Sequence, residues 1–241
     1  MPHAPATPAD LLGATLRRDP AQPLLTYYDD GTGERTELSA ATFANWVAKS
    51  ANLLREELSV AAGDRVCLLL PAHWQTAAIL LAVWSVGAVP VTVPAGAGLI
   101  AADEPRLAEA LQASATDVLG LSLRPMNAPL SDAPPGVVDY AAEVLGCADI
   151  FTADQPSGAV EAQAAGSWAS EVGLTATDRV LVCGAVGVED ALDWFLAPLA
   201  SGSSVVLCHR AAETRLPDRA AAERVTATLG VTIAGIRRLD G

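Results

Sequence analysis

The stretch AAGDRVCLLLPAHWQTAAILLAVWSVGAVPVTV, residues 61–93, reads as turn, buried strand, helix, glycine and second buried strand. Gly63 and Asp64 form the turn, and residues 66–70 are a short apolar run bounded by Asp64-Arg65 and Pro71. Ile79, Ala82, Val83 and Val86 then recur three and four apart, the spacing of a helix face, and Gly87 supplies the stop. Residues 89–93 are another largely apolar run. Neither run alternates apolar with charged residues, so both sheet faces should be covered, as in a parallel βαβ unit.

The same order returns later. Thr177-Asp178-Arg179-Val180 repeats the Asp-Arg-Val of residues 64–66; Ala191, Leu192, Phe195 and Leu199 share a helix, Gly202 closes it, and residues 204–208 make the return strand. The fold class expected is therefore α/β, with two similar βαβ-based lobes whose mainly parallel sheets are covered by helices. Around them, residues 24–28 and 34–38 read as strands joined by the turn Asp29-Asp30-Gly31-Thr32-Gly33. Ser39 suits the N-cap of a helix running to about residue 58, with Phe43, Val47, Ala51 and Leu54 on one face. Lys49 lies off that stripe and is expected at the solvated surface. A helix over 104–114, a strand over 117–121, a last helix over 218–229 and a strand over 231–236 complete the reading. The expected division is a mobile Pro- and Ala-rich N-terminus at 1–10, a first lobe at 11–123, a Pro/Gly-rich connection at 124–168 and a second lobe at 169–241.

A formal net charge of −13, spread along the chain, repels phosphate backbones and anionic lipid, so neither nucleic acid nor a membrane surface is an expected partner. The longest apolar run, residues 77–84, is too short to cross a bilayer, and no basic segment followed by an apolar core opens the chain. Cys67, Cys147, Cys183 and Cys208 show no CxxC pairing, and three of them fall in expected strands, where thiols behave as small hydrophobes. The expected setting is a reduced cytoplasm. Fourteen of the fifteen basic residues are arginine, so chemistry that needs a lysine must use Lys49.

Leu25-Thr26-Tyr27 with the helix from Ser39, the block from Gly63 to the end of the second strand, and the later unit LAPLASGSSVVL resemble the acyl- and aminoacyl-adenylate-forming enzymes, the AMP-binding, acyl-CoA synthetase-like superfamily. LLTYYDDGTGERTEL, ANWVAKSANLL and HWQTAA are most similar to a short actinobacterial branch of it. The resemblance implies the fold of the superfamily's N-terminal lobes without the C-terminal lid, whose catalytic lysine would follow residue 241. It also implies a phosphate loop between the two units, rich in Ser, Thr and Gly and ending in Pro-Lys-Gly. Here that interval reads IFTADQPSGAVEAQAAG, residues 150–166, with no lysine and with Asp154 and Glu161 where an anion would be repelled. Thr152, Ser157 and Gly158 are the residues that a residual phosphate loop would use; an ordinary surface turn is the alternative. Where the superfamily usually places an aromatic-His pair after the second core strand, this chain has Ala185-Val186-Gly187-Val188.

Other constellations are weaker. His73 and Trp74 open the helix after the first core strand, where α/β sheets place ligands, and a helix-start His can contact an anion or simply pack beside the Trp. Glu189, Asp190 and Asp193 could hold Mg²⁺ or complement a helix dipole. Cys208 and His209 are neighbours on a strand and so point to opposite faces, a poor nucleophile–base pair. No catalytic residue and no metal site is assigned. No cofactor is assigned either; residual binding of ATP, AMP or acyl-CoA is the alternative left open. The functional expectation is a catalytically silent binding or regulatory protein taking a small acyl or nucleotide ligand or a protein partner. Its alternatives are one half of a split acyl-CoA ligase completed by a partner chain that supplies the missing lobe, and a structural homodimer.

Overall fold

The computed structural model describes residues 6–184 and 187–239. The strands in chain order are β1 (Pro23–Asp29), β2 (Glu34–Ser39), β3 (Arg65–Leu69), β4 (Val89–Val91), β5 (Leu99–Asp103), β6 (Asp117–Leu121), β7 (Val137–Asp139), β8 (Arg179–Cys183), β9 (Ser204–His209), β10 (Ala227–Leu229) and β11 (Arg237–Arg238). The helices are α1 (Pro8–Arg18), α2 (Ala40–Asn52), α3 (Trp74–Ser85), α4 (Leu107–Gln112), α5 (Tyr140–Val144), α6 (Ala159–Glu171), α7 (Ala197–Ser201) and α8 (Leu216–Ala222). They form two compact units. One holds Met1–Phe43, Ala72–Trp74 and Ala159–Gly241, and the other holds Ala44–Pro71 and Gln75–Gly158.

In the second of these, five parallel strands run in the order β4-β3-β5-β6-β7. Cys67, Leu69, Ile100, Ala102, Leu107 and Ala110 form the core of one side. Helix α3 is buried on every face, since Ala77 to Val83 are all 0–1 % exposed. Its sequence AAILLAV has no polar face to turn outward, so the one-sided stripe expected from periodicity understates its burial. Strand β4 is a short edge strand and is less covered than the sequence suggests: Val89 is 42 % exposed, and Pro90 and Val91 are half-buried. Val89 turns its N–H to the Asp64 carbonyl at 2.7 Å, so the N–H that Pro90 lacks falls on the solvent side, where a proline blunts an edge.

The first unit has six strands in the order β11-β10-β8-β9-β1-β2, parallel except for the antiparallel hairpin β1–β2. Strands β9-β8-β10-β11 thus repeat the order of β4-β3-β5-β6. The repeat extends to single hydrogen bonds. Asp64 accepts from the Ala61 N–H and Asp178 from the Thr175 N–H, both at 2.8 Å, closing equivalent turns. The carbonyls of Arg65 and Arg179 then accept from Gly98 and Thr226, each at 3.0 Å. Gly87 and Gly202 end the crossover helices at φ +84 and +76.

The chain is divided differently from the expected 11–123, 124–168 and 169–241. Tyr27 and Thr26 register with Leu207 and Val206, so the N-terminal hairpin extends the later sheet by covering the β9 edge. Residues 124–168 carry β7, α5 and most of α6 as well as loop. Helix α1 begins within the segment expected to be mobile: Thr7 and Asp10 form a reciprocal capping box and Pro8 opens the first turn. Residues 1–5 lie outside the described residues. The helix expected over 218–229 stops at Ala222. Arg224 at φ +54 breaks it, and Val225-Thr226-Ala227-Thr228, rich in β-branched residues, becomes the lead into β10, so the strand expected over 231–236 is displaced to both sides.

Candidate functional site

The segment weighed as a residual phosphate loop or an ordinary surface turn packs against the end of α3. Both donors of Ser157 are used within its own unit, the N–H on the Trp84 carbonyl at 2.9 Å and the hydroxyl on the Ala88 carbonyl at 2.6 Å. The Trp84 carbonyl is in the last turn of α3, where a helix leaves carbonyls without intrahelical donors, and Ala88 lies between the Gly87 stop and β4. Gly87 lies against the same segment; a Cβ there would sit 2.6 Å from the Gln155 carbonyl oxygen. Gly158 has φ +84 and leads into α6, so residues 159–166 of the expected loop are helical. Thr152 is exposed. Asp154 faces Arg55 at 3.6 Å, and the Arg55 guanidinium stacks 4.4 Å from the Phe151 ring.

Lys49 is held against the same stretch of chain. Its Nζ donates to the carbonyls of Cys147 at 2.5 Å and Leu145 at 3.3 Å, while Asn52 Nδ2 donates to Ala148 and Ile150 at 2.8 and 3.0 Å. Lys49, Asn52 and Arg55 are spaced three apart; the first two hold backbone carbonyls of residues 145–150, and Arg55 meets the side chains of Phe151 and Asp154. The lysine expected in solvent is therefore half-buried and committed to carbonyls, because its neighbouring chain has no regular ladder to satisfy them.

His73 and Trp74 are both buried, at 1 % and 4 % exposure. The His73 ring meets Tyr27 edge to face at 4.3 Å and lies 5.6 Å from the Trp74 ring. Burial pushes its pKa down to about 3, with His209 adding to the effect and Asp29 opposing it. A neutral imidazole in this packing does not supply the positive charge that anion contact would need.

Asp190 accepts from the Gly187 N–H at 3.0 Å and so caps the short helical turn it belongs to. Trp194, fully buried, donates to the Gly187 carbonyl at 2.9 Å. Asp193 is half-buried and its pKa is raised, first by burial and then by Asp190. Among the described residues no group of three or more His, Cys, Asp or Glu side chains could hold a metal ion. Ala185 and Val186, which replace the aromatic-His pair, lie outside the described residues. Cys208 packs into the core while His209 is half-buried beside it, as alternation along a strand requires.

The largest charged constellation was invisible to sequence reasoning. On the first unit's sheet, Tyr28 donates to Glu223 at 2.5 Å, and Arg35 reaches the Tyr28 hydroxyl at 2.8 Å and Glu223 at 3.0 Å; Arg179 bonds the other Glu223 oxygen. Burial raises the Glu223 pKa, but these donors outweigh it and hold the carboxyl at about 2. At the carboxyl ends of β1 and β9, Arg210 forks onto Asp29, with Nε at 2.8 Å, and Arg219 reaches Asp30 at 2.6 Å. Asp29 likewise sits at about 2, its burial overcome by Arg210, the Gly31 N–H and Thr32. The carboxylates are largely buried and each is paired with guanidiniums, several of them partly exposed, which suits an ionic framework rather than a reaction centre. Their partners are separated by up to about 190 residues, so no local motif announces them.

No helix among the described residues is long and apolar enough to cross a membrane. Two solved structures share the fold. An acyl-CoA synthetase from Brucella canis superposes with a TM-score of 0.74 at 18% identity, over 91% of this chain and 47% of that one. The anthranilate CoA ligase AuaEII in complex with anthranoyl-AMP gives 0.75 at 14% identity, over 94% and 50%. The chain thus spans about half the length of these solved proteins, and its α/β architecture of helix-covered parallel sheets is theirs. A Mycobacterium tuberculosis protein described as a TIGR03089 family protein is 44% identical over 243 residues, covering 92% of this chain and 99% of that relative. The family model "AMP-binding enzyme" matches residues 13–138, just over half of the chain. The chain belongs to the AMP-binding enzyme family.

Proposed function

We propose that this chain acts by binding, taking a small acyl or nucleotide-like ligand or a protein partner, and does not activate carboxylic acids on its own. One observation carries the reading. Ser157, one of the residues a residual phosphate loop would use by the family resemblance, spends its N–H on the Trp84 carbonyl at the end of α3 and its hydroxyl on the Ala88 carbonyl. Acyl adenylation develops charge on a pyrophosphate leaving group, and fixed donors and cations supply much of the rate. Here the donors face inward, the sole lysine is tied to backbone carbonyls, and the segment carries Asp154. ATP–pyrophosphate exchange by the pure chain across a panel of carboxylic acids tests this. No exchange above background is expected; robust turnover overturns the proposal.

A second reading, one half of a split ligase, is supported by the 47% and 50% shares of the two solved CoA-forming proteins that the chain spans. Co-purification from the native host discriminates. A bound chain carrying the rest of the fold, with exchange activity in the mixture, selects this second reading. A self-association product or no partner rejects it.

A further inference from the structure

Cys183 and Cys208 are direct partners in the parallel ladder of β8 and β9. Both are free thiols, and both belong to the cluster beneath α8, with Cys208 buried at 3 % exposure and Cys183 half-buried beside it. Residues paired across a parallel ladder project from the same face, and neighbouring strands lie about 4.8 Å apart. Strand side chains stand roughly perpendicular to the sheet, so two such sulfurs keep a similar spacing. A two-coordinate linear ion needs its sulfurs at twice one metal–sulfur bond, roughly 4.6 Å on the scale of a bond of about 2.3 Å. Four-coordinate ions would need further ligands, and no larger His, Cys, Asp or Glu cluster exists among the described residues.

We propose that Cys183 and Cys208 form a two-thiolate site for a soft, monovalent, closed-shell cation of the copper(I) class, held linearly between the two strands. Soft thiolates select such ions over harder divalent ones. The binding step balances simply: two thiols and one monovalent cation give a bis-thiolate complex of charge −1, with two protons released to solvent and no change of oxidation state. Arg219, on α8, acts on Cys208 by its positive charge, while its own contacts reach Asp30 at 2.6 Å and the face of Tyr28, 4.1 Å from the ring centroid. Binding releases both thiol protons, so affinity rises with pH. Cys183 provides the entrance and Cys208 the buried anchor. This site is independent of nucleotide handling.

Anaerobic transfer of copper(I) from its bathocuproine disulfonate complex to the full chain tests the proposal, with X-ray absorption on the product. One copper(I) per chain is expected, with two sulfur scatterers, and Cys183→Ser should weaken binding about a hundredfold by removing the chelate. Cys208→Ser should do the same; because it sits in the core, Cys183→Ser is the decisive variant, with circular dichroism confirming its fold. Cys147→Ser should leave binding unchanged. Absence of transfer, retention of wild-type affinity in Cys183→Ser, loss in Cys147→Ser, or a nitrogen or oxygen ligand in the spectrum overturns it.

Discussion

His73 and Glu223 show how far surroundings move one side chain. The His73 imidazole, sealed against Tyr27 and Trp74, has its pKa pushed down to about 3, chiefly by burial. Its ring resonances should therefore stay fixed between pH 8 and 5 in a proton–nitrogen correlation spectrum; a titration with a midpoint near 6.5 would contradict this packing. Glu223 is the opposite case, a carboxyl lowered to about 2 although burial alone would raise it. A depressed carboxyl stabilises the fold fully above its unfolded pKa, about 4.3, and loses that contribution as pH falls through its folded value. Its side chain is only 9% exposed, so the effect should approach about 2 kcal/mol. Urea midpoints for wild type and Glu223→Gln should differ most above pH 5 and converge toward pH 2. A gap that does not narrow in acid would mean that the Arg35, Tyr28 and Arg179 contacts do not act through charge.

The crossover β3–α3–β4 is the element on which most else rests. Gly87 ends α3 at φ +84, and a Cβ would also meet Ala62 at 3.0 Å and the Gln155 carbonyl oxygen at 2.6 Å. Gly63 has a similar φ of +87 but open space around it. Gly87→Ala should therefore cost roughly 2–4 kcal/mol, and Gly63→Ala only the left-handed backbone penalty of about 1–2 kcal/mol, in matched urea titrations. Equal losses would show that the Gln155 segment does not press on the helix end. This element was legible in the sequence because its signals are local: Asp64, the apolar run, and the glycine stop. The same holds for the second copy from Asp178 to β9. What was not legible were pairings at long range. Nothing in Leu25 to Tyr28 says that they join β9, nearly the whole chain away, and nothing in Lys49 says that its ammonium meets the Cys147 carbonyl. The helix expected past Ala222 failed where β-branched residues and Arg224 at φ +54 outweighed an alanine-rich lead. At the candidate site, sequence located the Ser157 segment and its acidic character, whereas the direction in which its donors point is a property of packing alone.

Across the whole molecule, two units reuse one strand order, and an acidic net charge of −13 surrounds them. The family supplies the scaffold, and in the interval between this chain's two copies Ser157 donates to the Trp84 and Ala88 carbonyls. On the proposed reading, the Ser157 amide belongs to the fold and not to a ligand. A nitrogen–proton correlation spectrum recorded during a titration with Mg²⁺–ATP reads this directly. The Ser157 amide should exchange slowly with solvent and hold its position throughout the titration. A saturable shift of that amide, with loss of its protection as phosphate displaces the Trp84 carbonyl, would contradict it.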